Sequence, residues 1–316
     1  MTGGPQNRPL FGALCASGAV FFFSLNDVLV KSLSGTFPLH EIVLIRSLVA
    51  ISVVVGLAAC AKHGLRGLAT QKLGQHMLRG FFVAMANLAF FLGLAALPLA
   101  EAVAIFFVSP LIITGFSVIF LGEKVGPRRW SAIAVGFLGV LVIMRPGTAA
   151  FQAASLLPIA AAVCYASLHM MTRKLGRTES ALSLVFYIQI MFICVTTAIG
   201  LAVGDGRFAA QEDPSLAFFF RKWIWPEPGQ WMLLAGIGLI LTAGAYLISQ
   251  AYRVAEAAYV APFEYVAMPL AIFWGIAIFG EWPDTLAWFG ILLIVGSGLY
   301  IIWRGRVAGQ PSAKPA

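Results

Sequence analysis

Hydrophobic residues run along this chain in ten stretches, each about long enough to cross a bilayer, separated by short clusters of charge, proline and glycine. Reading between those interruptions predicts helices near 10–33, 40–61, 77–97, 101–121, 129–145, 152–173, 180–203, 230–252, 257–279 and 285–303. A spanning helix needs roughly 20 apolar residues, and within lipid only a segment that satisfies its own backbone hydrogen bonds can cross. The pattern predicts an all-α membrane protein with ten transmembrane helices. The first stretch is longer than the apolar core of a signal peptide and no small-residue cleavage site follows it, so it is read as a retained first helix.

The last five stretches resemble the first five. Glu101 in Leu99-Ala-Glu-Ala-Val and Glu256 in Val254-Ala-Glu-Ala-Ala each fall at the turn between the third and fourth helix of their half. Phe120-Leu-Gly-Glu123 and Ile278-Phe-Gly-Glu281 each follow the fourth helix, Pro110 and Pro269 precede those glutamates by similar distances, and a glycine-bearing helix (Gly136 and Gly139; Gly290, Gly296 and Gly298) closes each half. Five is an odd number, so the second half must enter from the opposite side. The expected organisation is two inverted five-helix repeats, 10–147 and 152–304, followed by a disordered cytoplasmic tail, 305–316. The glycines are read as scaffold that lets helices approach closely, in the bilayer or across a possible homodimer contact.

Composition agrees with this reading: 60% hydrophobic, 11% charged, mean hydropathy +0.90. A soluble chain would carry about a quarter charged residues. The net charge of +8 is therefore read as a property of loops facing the inner side of a membrane, not as a nucleic-acid signal. With both termini cytoplasmic, 15 of the 21 lysines and arginines lie inside; the other six are Lys31, Arg46, Arg145, Arg207, Arg221 and Lys222. That bias sets the expected orientation in a bacterial inner membrane. Cys15, Cys60, Cys164 and Cys194 have no metal-ligand spacing, so neither disulfides nor a metal are expected. The stretch from Gly204 to Gln230 carries aromatics beside Arg221 and Lys222, which suits an interfacial helix on the outer leaflet or a lid over an external entrance.

On the repeat, the two Gly-Glu turns and the Asp27, Lys31, Glu41 and Arg46 pattern, the chain resembles the drug/metabolite transporter superfamily, specifically its ten-helix EamA type, over about residues 10–304. Asn26-Asp-Val-Leu-Val-Lys31, His40-Glu41, Arg46 and Ala261-Pro-Phe-Glu-Tyr265 are similar to members assigned to S-adenosylmethionine uptake, and riboflavin carriers share the build. The resemblance implies a secondary transporter and leaves the substrate open.

The polar residues inside the spans are the candidate binding or coupling sites. Asp27 and Lys31 sit one turn apart and share a helix face, and Arg46 reaches a similar depth on the second helix, so a three-charge cluster is geometrically open to them. It is read either as a structural ion pair between helices one and two or as a gate that breaks during a cycle, because a charge at that depth costs ~2.5–3.5 kcal/mol on insertion scales and turns toward a partner. Aligning the halves lays His169 over Asp27, and its imidazole either relays a proton or bonds a neighbouring helix. Glu264, behind Pro262 and beside Phe263 and Tyr265, joins a carboxylate to aromatic faces, which suits a cationic or flat heteroaromatic ligand; the alternative is a helix-to-helix bond or a pair with Arg253. Asn87, Ser109, Tyr165, Gln189, Tyr246 and Gln250 add amides and hydroxyls at mid-helix depth, and Trp274 faces either cavity or lipid.

These features favour a secondary carrier that moves a small polar organic metabolite, S-adenosylmethionine or another cationic or heteroaromatic solute, by alternating access of two halves about a midplane site. Export of amino acids or drugs and riboflavin carriage are the alternatives within transport. A membrane-embedded enzyme is the alternative outside it, and no HExxH, GxSxG or phosphate-binding motif supports one. No cofactor is expected; the expected partners are the bilayer, the metabolite, and a proton or counter-substrate.

Overall fold

The computed structural model describes residues 9–60, 64–121, 127–148, 151–175, 181–254 and 263–309, and among them every regular element is helical. In chain order these are α1 (Pro9–Leu33), α2 (Leu39–Cys60), α3 (Leu73–Ala96), α4 (Leu99–Phe106), α5 (Ser109–Leu121), α6 (Pro127–Met144), α7 (Leu156–Leu175), α8 (Ala181–Val203), α9 (Pro214–Phe220), α10 (Pro228–Val254), α11 (Ala267–Phe279) and α12 (Thr285–Gly309). Five helices are long and apolar enough to cross a membrane: Leu10–Leu33, Leu39–Cys60, Leu73–Ala96, Leu182–Val203 and Pro228–Ile248. The other apolar helices are shorter, between 10 and 17 residues.

The dominant pairings all run from one half of the chain to the other: α1 with α10, α3 with α7, α2 with α8 and α6 with α12. The first two are each other's image under exchange of the halves, and the last two pair a helix with its own counterpart. The core is therefore shared by both halves. The α6–α12 crossing shows why glycine is needed there. A Cβ on Gly139 would lie 2.8 Å from the Gly290 carbonyl oxygen, and one on Gly290 would lie 2.7 Å from the Gly139 oxygen and 2.5 Å from Ile143 Cγ1. The two backbones touch reciprocally, as close approach through small residues requires. Gly290→Val is expected to lower the thermal midpoint by an amount equivalent to about 1–3 kcal/mol of overpacking. Gly56→Ala is the matched control, because nothing lies within 4 Å of its would-be Cβ; equal midpoints for the two variants would contradict the close crossing.

The fourth and ninth spans, expected as continuous helices, are both interrupted. The fourth breaks between α4 and α5 at Phe107–Val108, just before Ser109-Pro110, and the ninth breaks at Tyr265–Val266, just before Ala267-Met-Pro269. A proline ring clashes with the preceding turn and removes one amide donor, so each break sits where it frees backbone groups. The same fracture at matching places in the two halves marks a midplane site in transporters built from repeats. Glu264 is consequently the last helical residue before the second break.

The long connection between α8 and α10 forms a strap docked on the protein, with only the short α9 inside it. Asp213 caps α9 by accepting from the Leu216 amide at 3.0 Å, and Pro214 opens its first turn. Ser215 Oγ donates to the Leu92 carbonyl at 2.8 Å, Arg221 donates to the Ser34 carbonyl at 2.5 Å, and Phe218 is buried. The strap therefore caps the adjoining ends of α1, α2 and α3. At the other terminus α12 continues to Gly309, into the segment expected as a tail; residues 310–316, and with them the end of that tail, lie outside the described residues.

Candidate functional site

The two helix breaks meet. Phe107, at the end of α4, stacks on Tyr265 of the second break, with ring centroids 5.1 Å apart and planes at 27°. Each aromatic therefore comes from the fracture point of a different half. Beside this pair, Phe106 meets Tyr165 of α7 edge to face at 5.3 Å, and Phe90 of α3 meets Phe106 at 5.2 Å. Glu264 lies within electrostatic reach of the Tyr165 and Tyr265 hydroxyls. Ser109 is buried at the first break. The sequence candidates Ser109, Tyr165, Glu264 and Tyr265 thus gather around the two breaks.

Tyr265 owes its position to a glycine. A Cβ on Gly298 of α12 would fall 1.7 Å from Tyr265 Oη, so the tyrosine lies directly over that backbone. Tyr265 is 7% exposed and its hydroxyl has no hydrogen-bond partner among the described residues, which leaves a buried donor and acceptor at the centre. Trp274 of α11 turns inward and donates from Nε1 to Ser24 Oγ of α1 at 3.2 Å, settling on the protein side the orientation that the sequence left open.

Arg46 occupies a separate network. It is 1% exposed, donates to Asn26 Oδ1 at 3.3 Å and to Asn87 Oδ1, and lies over the rings of Phe91 and Phe192 at 5.3 and 5.6 Å. Asn26 in turn donates to Asp27 Oδ1 at 3.2 Å. Asp27 therefore reaches Arg46 through an amide rather than by direct contact. The guanidinium binds α1, α2 and α3 together, with two aromatic faces in place of solvent. Asn26 was absent from the sequence candidates; its adjacency to Asp27 was the available signal.

Lys31 does not join Asp27 or Arg46. Its ammonium pairs with Glu281 Oε1 at 2.7 Å and donates to the Leu97 carbonyl at 2.5 Å, while Glu281 Oε2 accepts from the Leu99 amide at 2.8 Å. The three-charge cluster that the spacing allowed is accordingly replaced by a clamp from the first half to the Gly-Glu turn of the second. A second clamp lies nearby: Arg145, at the end of α6, contacts both oxygens of Asp284 at 2.5 Å, and Asp284 Oδ1 accepts from the Ala287 amide at 2.8 Å to cap α12. The Arg145 guanidinium holds the Asp284 carboxyl below the ordinary aspartate range. A depressed carboxyl stabilises above its unfolded-state pKa and loses that contribution as pH falls through the lowered folded value, so this clamp is fully made at neutral pH and weakens in acid.

The remaining candidates are dispersed. Tyr246 is 55% exposed on α10, and Gln250 is half-buried one turn further on. The side chain of His169 lies outside what is described, as do Glu123, Glu256 and Pro262. Gln189 of α8 is 5% exposed and its Oε1 has no hydrogen-bond partner among the described residues. Among the described residues no group of three or more histidines, cysteines or carboxylates is placed to hold a metal.

Known proteins match along nearly the whole chain. The EamA-like transporter family matches residues 10–145 and again 152–303. The chain is 31% identical over 300 residues to a riboflavin transporter of Vibrio cholerae, covering 94% of each chain. It is 28% identical to an S-adenosylmethionine uptake transporter of Rickettsia prowazekii, covering 90% of each. It is also 28% identical to a pseudopaline exporter of Pseudomonas aeruginosa, covering 90% of this chain and 93% of the exporter. A solved crystal structure with 18% identity superposes over 95% of this chain and 99% of its own with a TM-score of 0.63, a likeness of fold alone.

Proposed function

Because this chain belongs to the EamA-like transporter family, and is thus a multi-pass membrane transporter of small metabolites, we propose that it carries a polar organic solute with a flat heteroaromatic or cationic part across the bacterial inner membrane. The observation that carries this reading is the Phe107–Tyr265 stack, which places an aromatic platform from both halves beside Glu264. Riboflavin and S-adenosylmethionine, named for two relatives, each carry a flat heteroaromatic ring, and the latter also a cationic centre. Offset stacking adds ~0.5–1.5 kcal/mol beyond area burial, and a carboxylate selects the cationic member of such a set. Relatives include both uptake and export proteins, so the frame serves either direction. A thermal-shift panel of flavins, adenine-bearing sulfonium compounds, nucleosides and amino acids tests the substrate class. Stabilisation by ring-bearing solutes, diminished in Phe107→Ala, is expected; stabilisation only by aliphatic solutes would reverse the assignment.

The chain's ten apolar segments then cross ten times, in the repeats 10–147 and 152–304, with both termini cytoplasmic. In that orientation the Lys31–Glu281 and Arg145–Asp284 clamps lie at the external end and hold the two halves together there. Rocking of the halves must then break these clamps to admit solute from outside. Glu281→Gln removes the charge pair and the strongest of the acceptors for Leu99 and Lys31. It is expected to raise labelling of an outer-end cysteine, introduced at Ser34 in a background lacking the four native cysteines, by a membrane-impermeant maleimide. Unchanged labelling in intact cells would separate the clamp from gating. Coupling to a proton or counter-solute completes the proposed cycle.

A further inference from the structure

The strap and the adjoining ends of α2 and α10 line an open cleft of about 240 Å³ that shares no residue with the Phe107–Tyr265 centre. Glu41, Leu44 and Leu48 on α2, Trp223 and Trp225 on the strap and Trp231 on α10 form its walls. Trp225 and Trp231 meet edge to face, with centroids 5.5 Å apart and planes at 67°, so their ring faces make two sides of a corner. Indole is the strongest cation–π partner among the side chains. The corner is thus suited to a positively charged group that does not need many hydrogen bonds.

Glu41 supplies the charge. The residue is 0% exposed; its Oε2 accepts from the Ile224 amide at 3.1 Å, whereas its Oε1 has no hydrogen-bond partner among the described residues. Anchoring the strap uses one carboxylate oxygen and leaves the other over. The neighbouring cation is committed elsewhere, since Arg221 donates to the Ser34 carbonyl. A buried carboxylate oxygen without a donor is a substantial desolvation penalty, which either a proton or a neighbouring cation relieves. The apolar walls offer nothing to a hydrated metal ion or to a primary ammonium, whose three N–H groups would each require an acceptor. A quaternary ammonium has no such requirement.

We propose that this cleft is a binding site for small quaternary ammonium compounds carrying an alkyl chain, with the charged head between the indoles and Glu41 and the chain along Leu44 and Leu48. The site is independent of the central solute site and of the direction of transport. Its volume is below the ~300–1,000 Å³ of typical ligand pockets, which restricts the head to methyl-sized substituents.

The test is calorimetric titration of the whole protein in dodecyl maltoside, a detergent without an ammonium headgroup, with hexyltrimethylammonium, hexanol and hexanesulfonate, three probes of one chain length and different charge. Saturable binding of the ammonium is expected, with hexanol at least about tenfold weaker and the sulfonate unbound. Glu41→Gln keeps an oxygen for the Ile224 amide but removes the charge, and is expected to bring the ammonium to the affinity of hexanol. Trp225→Ala, at a residue 78% exposed, leaves the fold intact and is expected to weaken the ammonium without affecting hexanol. Protection of the strap from proteolysis verifies docking in both variants. Equal affinity for ammonium and hexanol in the native protein, native ammonium affinity in Trp225→Ala, or no saturable binding with the strap protected would each overturn the assignment.

Discussion

Glu264→Gln is expected to weaken a cationic solute at the central site by about thirtyfold or more while leaving the folded yield close to native. Removing one partner of a desolvated charge pair costs ~2–5 kcal/mol, and about 2 kcal/mol already corresponds to that factor. Glutamine keeps the size and most of the hydrogen-bonding capacity, so contacts made to the protein survive better than attraction for a cation. Its place at the break supports this asymmetry, because Glu264 precedes the Tyr265–Val266 turn and lies outside α11, which starts at Ala267. A neutral heteroaromatic solute behaves differently: Phe107→Ala removes half of the stack and is expected to weaken it several-fold, with Glu264→Gln nearly silent. Binding titrations of both variants with one cationic and one neutral ring compound check this. Loss of yield in parallel with loss of binding in Glu264→Gln would make the carboxylate a structural tie.

Arg46→Met is expected to have the largest effect on stability. The side chain is 1% exposed and its donors serve Asn26 and Asn87. Methionine leaves both amide oxygens without that donor, at ~1–3 kcal/mol for each buried unsatisfied group, and strands Asp27 beside a network that no longer carries positive charge. Against this stands the relief of ~2.5–3.5 kcal/mol for removing an arginine from membrane depth. The loss outweighs the relief because the penalties fall on three side chains at once. Adding Asp27→Asn to Arg46→Met removes the stranded charge and is expected to recover part of the thermal midpoint, with a coupling of about 1 kcal/mol or more. Size-exclusion yield and thermal unfolding in detergent measure both. A native midpoint in Arg46→Met with transport abolished would move Arg46 from fastener to binding or coupling residue.

The helices were legible because an apolar run of bilayer length has few other uses, and the repeat was legible because Gly-Glu turns and prolines recur in order. Pro110 and Pro269 served in the sequence as markers of the repeat, yet the breaks that precede them became visible only in three dimensions. A proline within a span is compatible with a kink or with a full interruption, and packing of the neighbouring helices decides between them. Lys31 shows a second limit. Spacing along one helix offered it Asp27, whereas the fold brings Glu281 to 2.7 Å from a position 250 residues away. The clue was that a lone cation at a helix end and a recurring Gly-Glu turn lay at the same expected depth. Asn26 was overlooked for a different reason: a small amide next to an acid carries no periodic signal, although it is the bridge that links Asp27 to Arg46. Gly298 was correctly placed in packing, but its partner, the Tyr265 ring, joins packing to the candidate site.

The most direct test is flux in proteoliposomes containing the purified protein, with a radiolabelled flavin or adenine-bearing sulfonium solute, measured with and without an imposed pH gradient. Saturable uptake whose half-saturating concentration rises several-fold in Phe107→Ala, with that variant incorporated to the native level, is the expected result, because the solute is proposed to bind where the two helix breaks meet. Saturable flux that is unaltered by Phe107→Ala and Glu264→Gln, or no flux of any ring-bearing solute by folded protein, would contradict it.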